Sequence, residues 1–119
     1  MLAVKRALMK VDPVPVLIFD EIDAQIGGRL GTIIGKKLKE VAEHRQVLLI
    51  THLPQIAAFA ETHLKIAKVV DKGRTKTTVE PLNAKSKIDE LAHMMAGDAM
   101  TDAALKHAKE MIKEAEKYS

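Results

Sequence analysis

The sequence predicts an α/β fold: a parallel strand–helix–strand core followed by a β-hairpin and two closing helices. Two short apolar runs, Val16–Phe19 and Val47–Ile50, each stop abruptly at polar residues, which is typical of buried parallel strands. The segment between them has apolar residues at helical spacing, and a crossover of this kind is right-handed in nearly all proteins. This order of elements therefore predicts one βαβ unit.

The first elements follow from prolines and periodicity. Met1–Met9 has a helical pattern, and Asp12–Pro15 ends it because two prolines cannot continue a helix. The first strand is predicted over Val14–Phe19 and the second over Val47–Ile50. The apolar stripe of the helix between them comprises Leu30, Ile33, Ile34, Leu38, Val41 and Ala42.

The second strand leads into a short helix and a hairpin. The helix is expected from about Pro54 to Ala60, with the proline in its first turn. Residues 63–70 and 74–80 are predicted strands around Asp71–Arg74, a hairpin turn signal. The later strand is polar, as expected of an edge strand, and Pro81 ends it.

Two helices close the predicted fold. Ser86–Asp89 is a near capping box, with aspartate in place of the usual glutamate, and Gly97 ends the helix that it opens. Thr101 is the predicted N-cap of the last helix. The predicted buried stripes of these helices are Ile88, Leu91, Ala92 and Met95 in one, and Leu105, Ala108, Ile112 and Ala115 in the other.

Three glycines share one face of the crossover helix. Gly27, Gly31 and Gly35 recur every four residues, and a glycine inside a helix costs roughly 1 kcal/mol relative to alanine. The spacing therefore indicates that something approaches this face closely. Two interpretations remain open: a partner subunit or nucleotide lies nearby, or the helix packs tightly on the sheet.

Composition excludes several classes of protein. The chain has 119 residues, which suits one domain, and aromatic residues make up only 3%, which argues against a surface that stacks single-stranded bases. The absence of cysteine excludes disulfides and thiolate metal sites. The net charge of +3 permits contact with DNA without predicting it. No apolar run suits a membrane span or signal peptide, so we expect no membrane partner and a cytoplasmic location.

The two strand ends carry the candidate chemistry. Asp20 and Glu21 follow the first strand and His52 follows the second, and ligands of open α/β sheets bind at this carboxyl edge. Asp20 can hold Mg²⁺ through water, and Glu21 can orient and deprotonate an attacking water. His52 can hydrogen-bond a γ-phosphate oxygen. The alternatives are an acidic pair in a surface turn and a structural or solvated histidine.

Three segments carry a family resemblance: Leu17–Asp23 (LIFDEID), Ile26–Arg29 (IGGR) and Ile50–Ala57 (ITHLPQIA). They are similar to the C-terminal half of the ATPase head of the RecN family, DNA repair proteins related to SMC proteins within the ABC-type ATPases. An Asp-Glu pair followed by a switch histidine is shared by all ABC ATPases, whereas the three segments together are more specific to RecN. The resemblance covers essentially the whole chain, so residues 1–119 are expected to form the C-terminal lobe of a P-loop NTPase head.

The resemblance implies a role for each site residue. Asp20 is the Walker B aspartate, Glu21 the catalytic glutamate and His52 the switch histidine. Asp23 lies in the D-loop, which in the family crosses to the opposing head, so Asp20, Asp23 and His52 are the expected nucleotide-binding residues. Heads of this family dimerise around two ATP molecules, with Mg²⁺, and the whole proteins bind DNA at broken ends in repair and recombination. A location at the nucleoid of a bacterial cytoplasm is also implied.

The chain lacks the groups that would hold the phosphates. It contains no G-x-x-x-x-G-K-[ST] loop, and the signature motif of the family would lie upstream of Met1. We therefore expect the chain alone neither to bind ATP well nor to hydrolyse it until the N-terminal half of the head is supplied. Without that half, exposed apolar faces are expected to make the chain associate. The alternatives are a non-catalytic scaffold or dimerisation module, and the head of another SMC- or ABC-type ATPase.

Overall fold

A parallel strand pair joined by a helix forms the first part of the fold. The structure, a computed structural model, describes residues 16–20 and 28–118, so the helix predicted over residues 1–9 and the start of the first strand lie outside the described residues. Strand β1 (Val16–Asp20) and strand β2 (Gln46–Ile50) are parallel, and helix α1 (Gly28–Ala42) lies between them in the sequence. The predicted βαβ unit is confirmed.

An antiparallel hairpin follows, as predicted. Strand β3 (Leu64–Asp71) pairs with strand β4 (Arg74–Pro81), and Asp71 lies opposite Arg74. The two residues of the turn, Lys72 and Gly73, both have positive φ, at 50° and 76°. Positive φ at both central positions is what the tight two-residue hairpin turn requires, and glycine adopts it without steric cost.

Helix α2 (Pro54–Ala57) is shorter than predicted. The amides of Phe59 and Ala60 bond to carbonyls three residues back, so the helix tightens and ends there. The freed carbonyls of Ala58 and Ala60 accept hydrogen bonds from Lys87 Nζ, at 3.4 and 2.5 Å. A lysine from another helix thus satisfies carbonyls that a longer α2 would have used internally.

The third helix begins earlier than Ser86–Asp89 predicted. Helix α3 spans Ala84–Ala96, and its N-cap is Asn83. Asn83 Oδ1 accepts from the Ser86 amide and Ser86 Oγ accepts from the Asn83 amide, both at 2.8 Å. Ser86 therefore fills the third helical position of the capping box, and Asp89 takes no part in it. The prediction failed because asparagine caps as well as serine, and a serine can replace the usual glutamate.

The ends of the remaining helices agree with the sequence. Gly97, with φ of 62°, ends α3, and its amide donates to the carbonyl of His93. Helix α4 (Asp102–Glu116) is capped by Thr101, whose Oγ1 accepts from the Ala104 amide at 3.1 Å. Both predicted stripes face inward, and Leu91, Ala92 and Ala108 are fully buried.

The core consists of two clusters that α2 connects. The first lies between the inner face of β1–β2 and α1, and it includes Leu17, Phe19, Leu38, Val41 and Ile56. The second lies between α3 and α4, and it includes Ala57, Ala58, Leu91, Ala92, Ala108 and Ala115. Consecutive residues of the α2 segment therefore belong to different clusters, which ties the βαβ unit to the closing helices.

One side of the βαβ unit has no covering layer among the described residues. Leu30 and Ile33 were predicted to be buried, but they are 54% and 50% exposed. They were assigned to the buried stripe because periodicity shows which residues are apolar, not which neighbour covers them. The outer face of the parallel pair is likewise apolar and exposed, through Val16, Ile18, Leu48 and Ile50.

The hairpin is attached to α3 near its base. Lys65 Nζ on β3 lies 2.8 Å from Glu90 Oε2 on α3, and this hydrogen bond raises the pKa of Lys65. The backbone amide of Leu82 donates to the carbonyl of His63 at 2.9 Å, and this bond closes the base of the hairpin itself. Within the described part of the chain, no helix has the length and apolarity that a membrane crossing demands.

Candidate functional site

The ends of the two parallel strands lie at one edge of the sheet. Asp20 is the last residue of β1 and pairs in register with Ile50, the last residue of β2. His52 follows two residues later, and both Asp20 and His52 are exposed. Because neighbouring strands lie roughly 4.8 Å apart, the carboxylate and the segment that carries the imidazole share this edge.

A compact turn fixes the segment around His52. Thr51 Oγ1 accepts a hydrogen bond from the Leu53 amide at 3.0 Å, which closes a turn with His52 in the middle. Pro54 occupies the first turn of α2 and keeps Leu53 extended, with φ of −93° and ψ of 119°. The sequence Thr-His-Leu-Pro therefore leads the chain from a strand directly into a helix.

The glycine face of α1 receives the segment that follows His52. A Cβ on Gly31 would lie 3.2 Å from Gln55 Cβ, and a Cβ on Gly35 would lie 2.4 Å from Phe59 Cδ2. For Gly31 and Gly35 the close neighbour is the chain's own segment that follows His52. Gly27 lies outside the described residues, and the interpretation that a partner subunit or nucleotide lies near this face stays a prediction. The packing holds the segment after β2 against the helix that returns from β1.

Two of the four predicted site residues lie outside the described part of the chain. Glu21 and Asp23 fall between residues 20 and 28, so their predicted roles stay predictions. Among residues 16–20 and 28–118, no three side chains of His, Cys, Asp or Glu form a metal-binding group. Asp20 offers one exposed carboxylate, and this suits Mg²⁺, which keeps several waters and uses few protein carboxylates.

The described half of the site is an open edge. Neither Asp20 nor His52 is among the described residues that line two of the protein's cavities, of about 290 and 670 Å³. Phosphate binding in a cradle of backbone amides needs an enclosing loop, and the sequence has no such loop. The carboxylate of Asp20 and the imidazole of His52 are exposed at this edge, and other residues would have to enclose the phosphates of a nucleotide bound there.

An aromatic contact behind the site gave no signal in the sequence. The rings of Phe59 and Tyr118 lie 6.3 Å apart, and Lys36 Nζ lies 4.2 Å from the centre of the Tyr118 ring. The end of α4 thereby packs on α1 beside Gly35. Periodicity could not reveal this contact because Tyr118 follows the last helical turn.

Comparison with solved structures identifies the fold. One solved chain superposes with a TM-score of 0.65 over 79% of this chain and 56% of its own length, at 23% identity; it comes from work described as "Structural biochemistry of ATP-driven dimerization and DNA stimulated activation of SMC ATPases". With the parallel strand ends, this likeness gives the chain the fold of part of an SMC ATPase head. No family profile matches the chain.

Comparison with curated proteins is more specific. The chain is 46% identical over 116 residues to the DNA repair protein RecN of Bacillus subtilis, 45% over 112 residues to that of Rickettsia bellii, and 40% over 115 residues to that of Streptomyces coelicolor. These matches cover 94–98% of the chain. The chain is therefore similar over nearly all of its length to the C-terminal part of those RecN proteins, and it spans about 20% of their length.

Proposed function

We propose that the chain supplies the Walker B and switch-histidine half of the ATP-hydrolysis site in a RecN-like DNA repair ATPase. One observation carries the proposal: β1 and β2 are parallel and in register, so Asp20 and the turn of His52 meet at one edge of an SMC-type fold. This edge is where ligands of open α/β sheets bind. Residues 1–119 are then the C-terminal lobe of the head.

Each site residue has a separate task in this proposal. Asp20 would hold hydrated Mg²⁺, which would supply charge neutralisation for the phosphates. Glu21, next in the chain, orients the attacking water and accepts its proton. His52 donates a hydrogen bond to a γ-phosphate oxygen, and Asp23 reaches the ATP bound to the opposing head. None of these groups cradles the phosphates, so ATP binding depends on the other half of the head.

The uncovered apolar face supports the N-terminal half of the head as the first partner. Val16, Ile18, Leu48 and Ile50 are each 44–65% exposed on the outer side of the parallel pair. Parallel sheets are covered on both faces in nearly all α/β proteins, so a second layer is expected here. The remaining proposed partners are a second head, in an ATP-dependent dimer, and DNA bound by the whole protein at the nucleoid in the bacterial cytoplasm.

The substitution Glu21→Gln in the complete head tests the catalytic assignment. Glutamine keeps the size of the side chain but cannot accept a proton, so hydrolysis should fall about 10²–10⁴-fold while ATP still binds and the closed dimer accumulates. Steady-state turnover, nucleotide binding and light scattering are the measurements. Glu43→Gln, an exposed carboxylate just beyond α1, is the matched control. Turnover unchanged by Glu21→Gln would remove Glu21 from the role of base.

His52→Ala separates a catalytic histidine from a structural one. Loss of the imidazole should lower ATP hydrolysis by the complete head because the γ-phosphate loses a hydrogen-bond donor. The urea midpoint should stay nearly unchanged because the side chain is exposed. A variant that is less stable but hydrolyses ATP at the normal rate would contradict the proposal. In the same assay the 119-residue chain alone should be inactive.

A further inference from the structure

A second concave surface lies away from the strand ends. It is a cleft of about 670 Å³ between α1, the end of α2, the start of α3 and α4. Four lysines from three helices line it: Lys39, Lys87, Lys109 and Lys113. The only carboxylates among its lining residues are Glu61 and Glu116, so positive charge predominates among the residues that form this lysine cleft.

Two of these lysines are held close together in a partly buried position. The side chain of Lys39 is only 14% exposed, and it forms an ion pair, at 3.1 Å, with Glu61, whose side chain is 83% exposed. Lys87 Nζ donates to backbone carbonyls at the end of α2. Burial, and then the charge of Lys39, lower the pKa of Lys87, whereas Glu116 opposes the shift. Neighbouring ammonium groups repel where water is partly excluded, and a bound anion would relieve this repulsion.

The wall formed by α4 adds two more cationic groups. Lys109 and Lys113 lie one helical turn apart, are both exposed, and have no ion pair within the described part of the chain. Lysines three or four residues apart on a helix project from the same side. Both ammonium groups are therefore available to a ligand in the cleft.

We propose that the lysine cleft binds a phosphate ester of about nucleotide size. Its volume lies within the range of small-molecule sites and far exceeds that of a single phosphate ion. Lysine ammonium groups bind phosphate as point charges, and four of them line the cleft. Phe59, Ile88 and Ile112 supply an apolar wall for the organic part. The ester is either a free nucleotide or a nucleotide within a DNA strand.

Lysine footprinting on the full-length protein tests the site directly. The acetylation rates of Lys109 and Lys113 are measured by mass spectrometry with deoxyadenosine monophosphate, with a short 5′-phosphorylated single strand, and with deoxyadenosine as the control that lacks phosphate. The factor by which a bound ligand slows acetylation equals one plus the ratio of the ligand concentration to Kd. At a concentration of about ten times Kd we therefore expect acetylation to be about tenfold slower. Lys68 and Lys76 on the hairpin should not be protected.

The two phosphorylated probes distinguish the sources of the ligand. Protection by the mononucleotide supports a free ligand, and protection by the strand alone supports a DNA-borne one. Lys113→Gln should weaken the protection of Lys109, whereas the matched exposed change Lys76→Gln should leave it intact. The proposal is overturned if neither phosphorylated probe protects, if deoxyadenosine protects equally, or if Lys68 and Lys76 are protected to the same degree.

Discussion

The contact between Gly35 and Phe59 predicts opposite effects for two similar substitutions. In Gly35→Ala the new Cβ would lie 2.4, 2.6 and 3.1 Å from Phe59 Cδ2, Cε2 and Cγ, so the ring must move, and the Tyr118 ring beside it hinders that movement. In Gly31→Ala the nearest atom is Gln55 Cβ at 3.2 Å, and the next two contacts are ordinary. A shift of a few tenths of an ångström suffices there.

The magnitudes follow from two opposing terms. Alanine gains roughly 1 kcal/mol over glycine inside a helix at either position. Overpacking of a well-packed site costs about 1–3 kcal/mol, and only Gly35 incurs it in full. We expect Gly35→Ala to lower the free energy of unfolding by up to about 2 kcal/mol, and Gly31→Ala to raise it by up to about 1 kcal/mol.

Urea denaturation of the two variants and the parent chain measures this difference. With an m-value of about 1–3 kcal/mol/M, the two midpoints should differ by about 1 M. Phe59→Ala supplies the control: once the ring is gone, Gly35→Ala should become stabilising, because only the helix term remains. The reasoning is refuted if Gly35→Ala is as stable as Gly31→Ala, or if it destabilises equally without the ring.

Three further predictions concern charge and capping. Burial, and then the charge of Lys87, lower the pKa of His63 in the folded protein from its ordinary 6.5. Between the folded and the unfolded pKa the unfolded chain binds more protons, so the free energy of unfolding should fall as pH drops through this window. His63→Gln should flatten this dependence of the free energy of unfolding on pH. Asn83→Ala should cost about 1 kcal/mol in thermal unfolding, whereas Asp89→Ala, outside the capping box, should cost almost nothing. Glu90→Gln should cost about 0.5 kcal/mol, because the pair with Lys65 is partly exposed, and 1 M salt should shrink the difference.

The sequence predicted the elements well because their signals are local. Apolar runs, the Asp71–Arg74 turn and the Thr101 cap each depend on a few consecutive residues, and the structure confirms all of them. The predicted start of α3 was wrong because asparagine and serine are both favourable N-cap residues, and a single sequence does not show whether Asn83 or Ser86 takes that position. The partner that buries a residue is not a local property, so the exposure of Leu30 and Ile33 could not be foreseen.

The candidate site could be predicted only in part for a related reason. Asp20 and His52 reach one edge because parallel pairing follows from the strand–helix–strand order. The glycine spacing predicted a close approach to α1 but not its source, since the pattern of one helix does not show that Phe59, from another segment, packs on it. The lysine cleft gave no signal because it assembles side chains from three helices that are distant in the sequence.

The position of α2 between two packed clusters has a mechanical consequence. Ile56 is anchored in the cluster beneath the sheet, and the next residues, Ala57 and Ala58, are anchored among the closing helices. Packed interiors have low compressibility and pass displacement on instead of absorbing it. A displacement of the turn that carries His52 would therefore be passed along α2 to α3 and α4, so the two clusters would respond to it together.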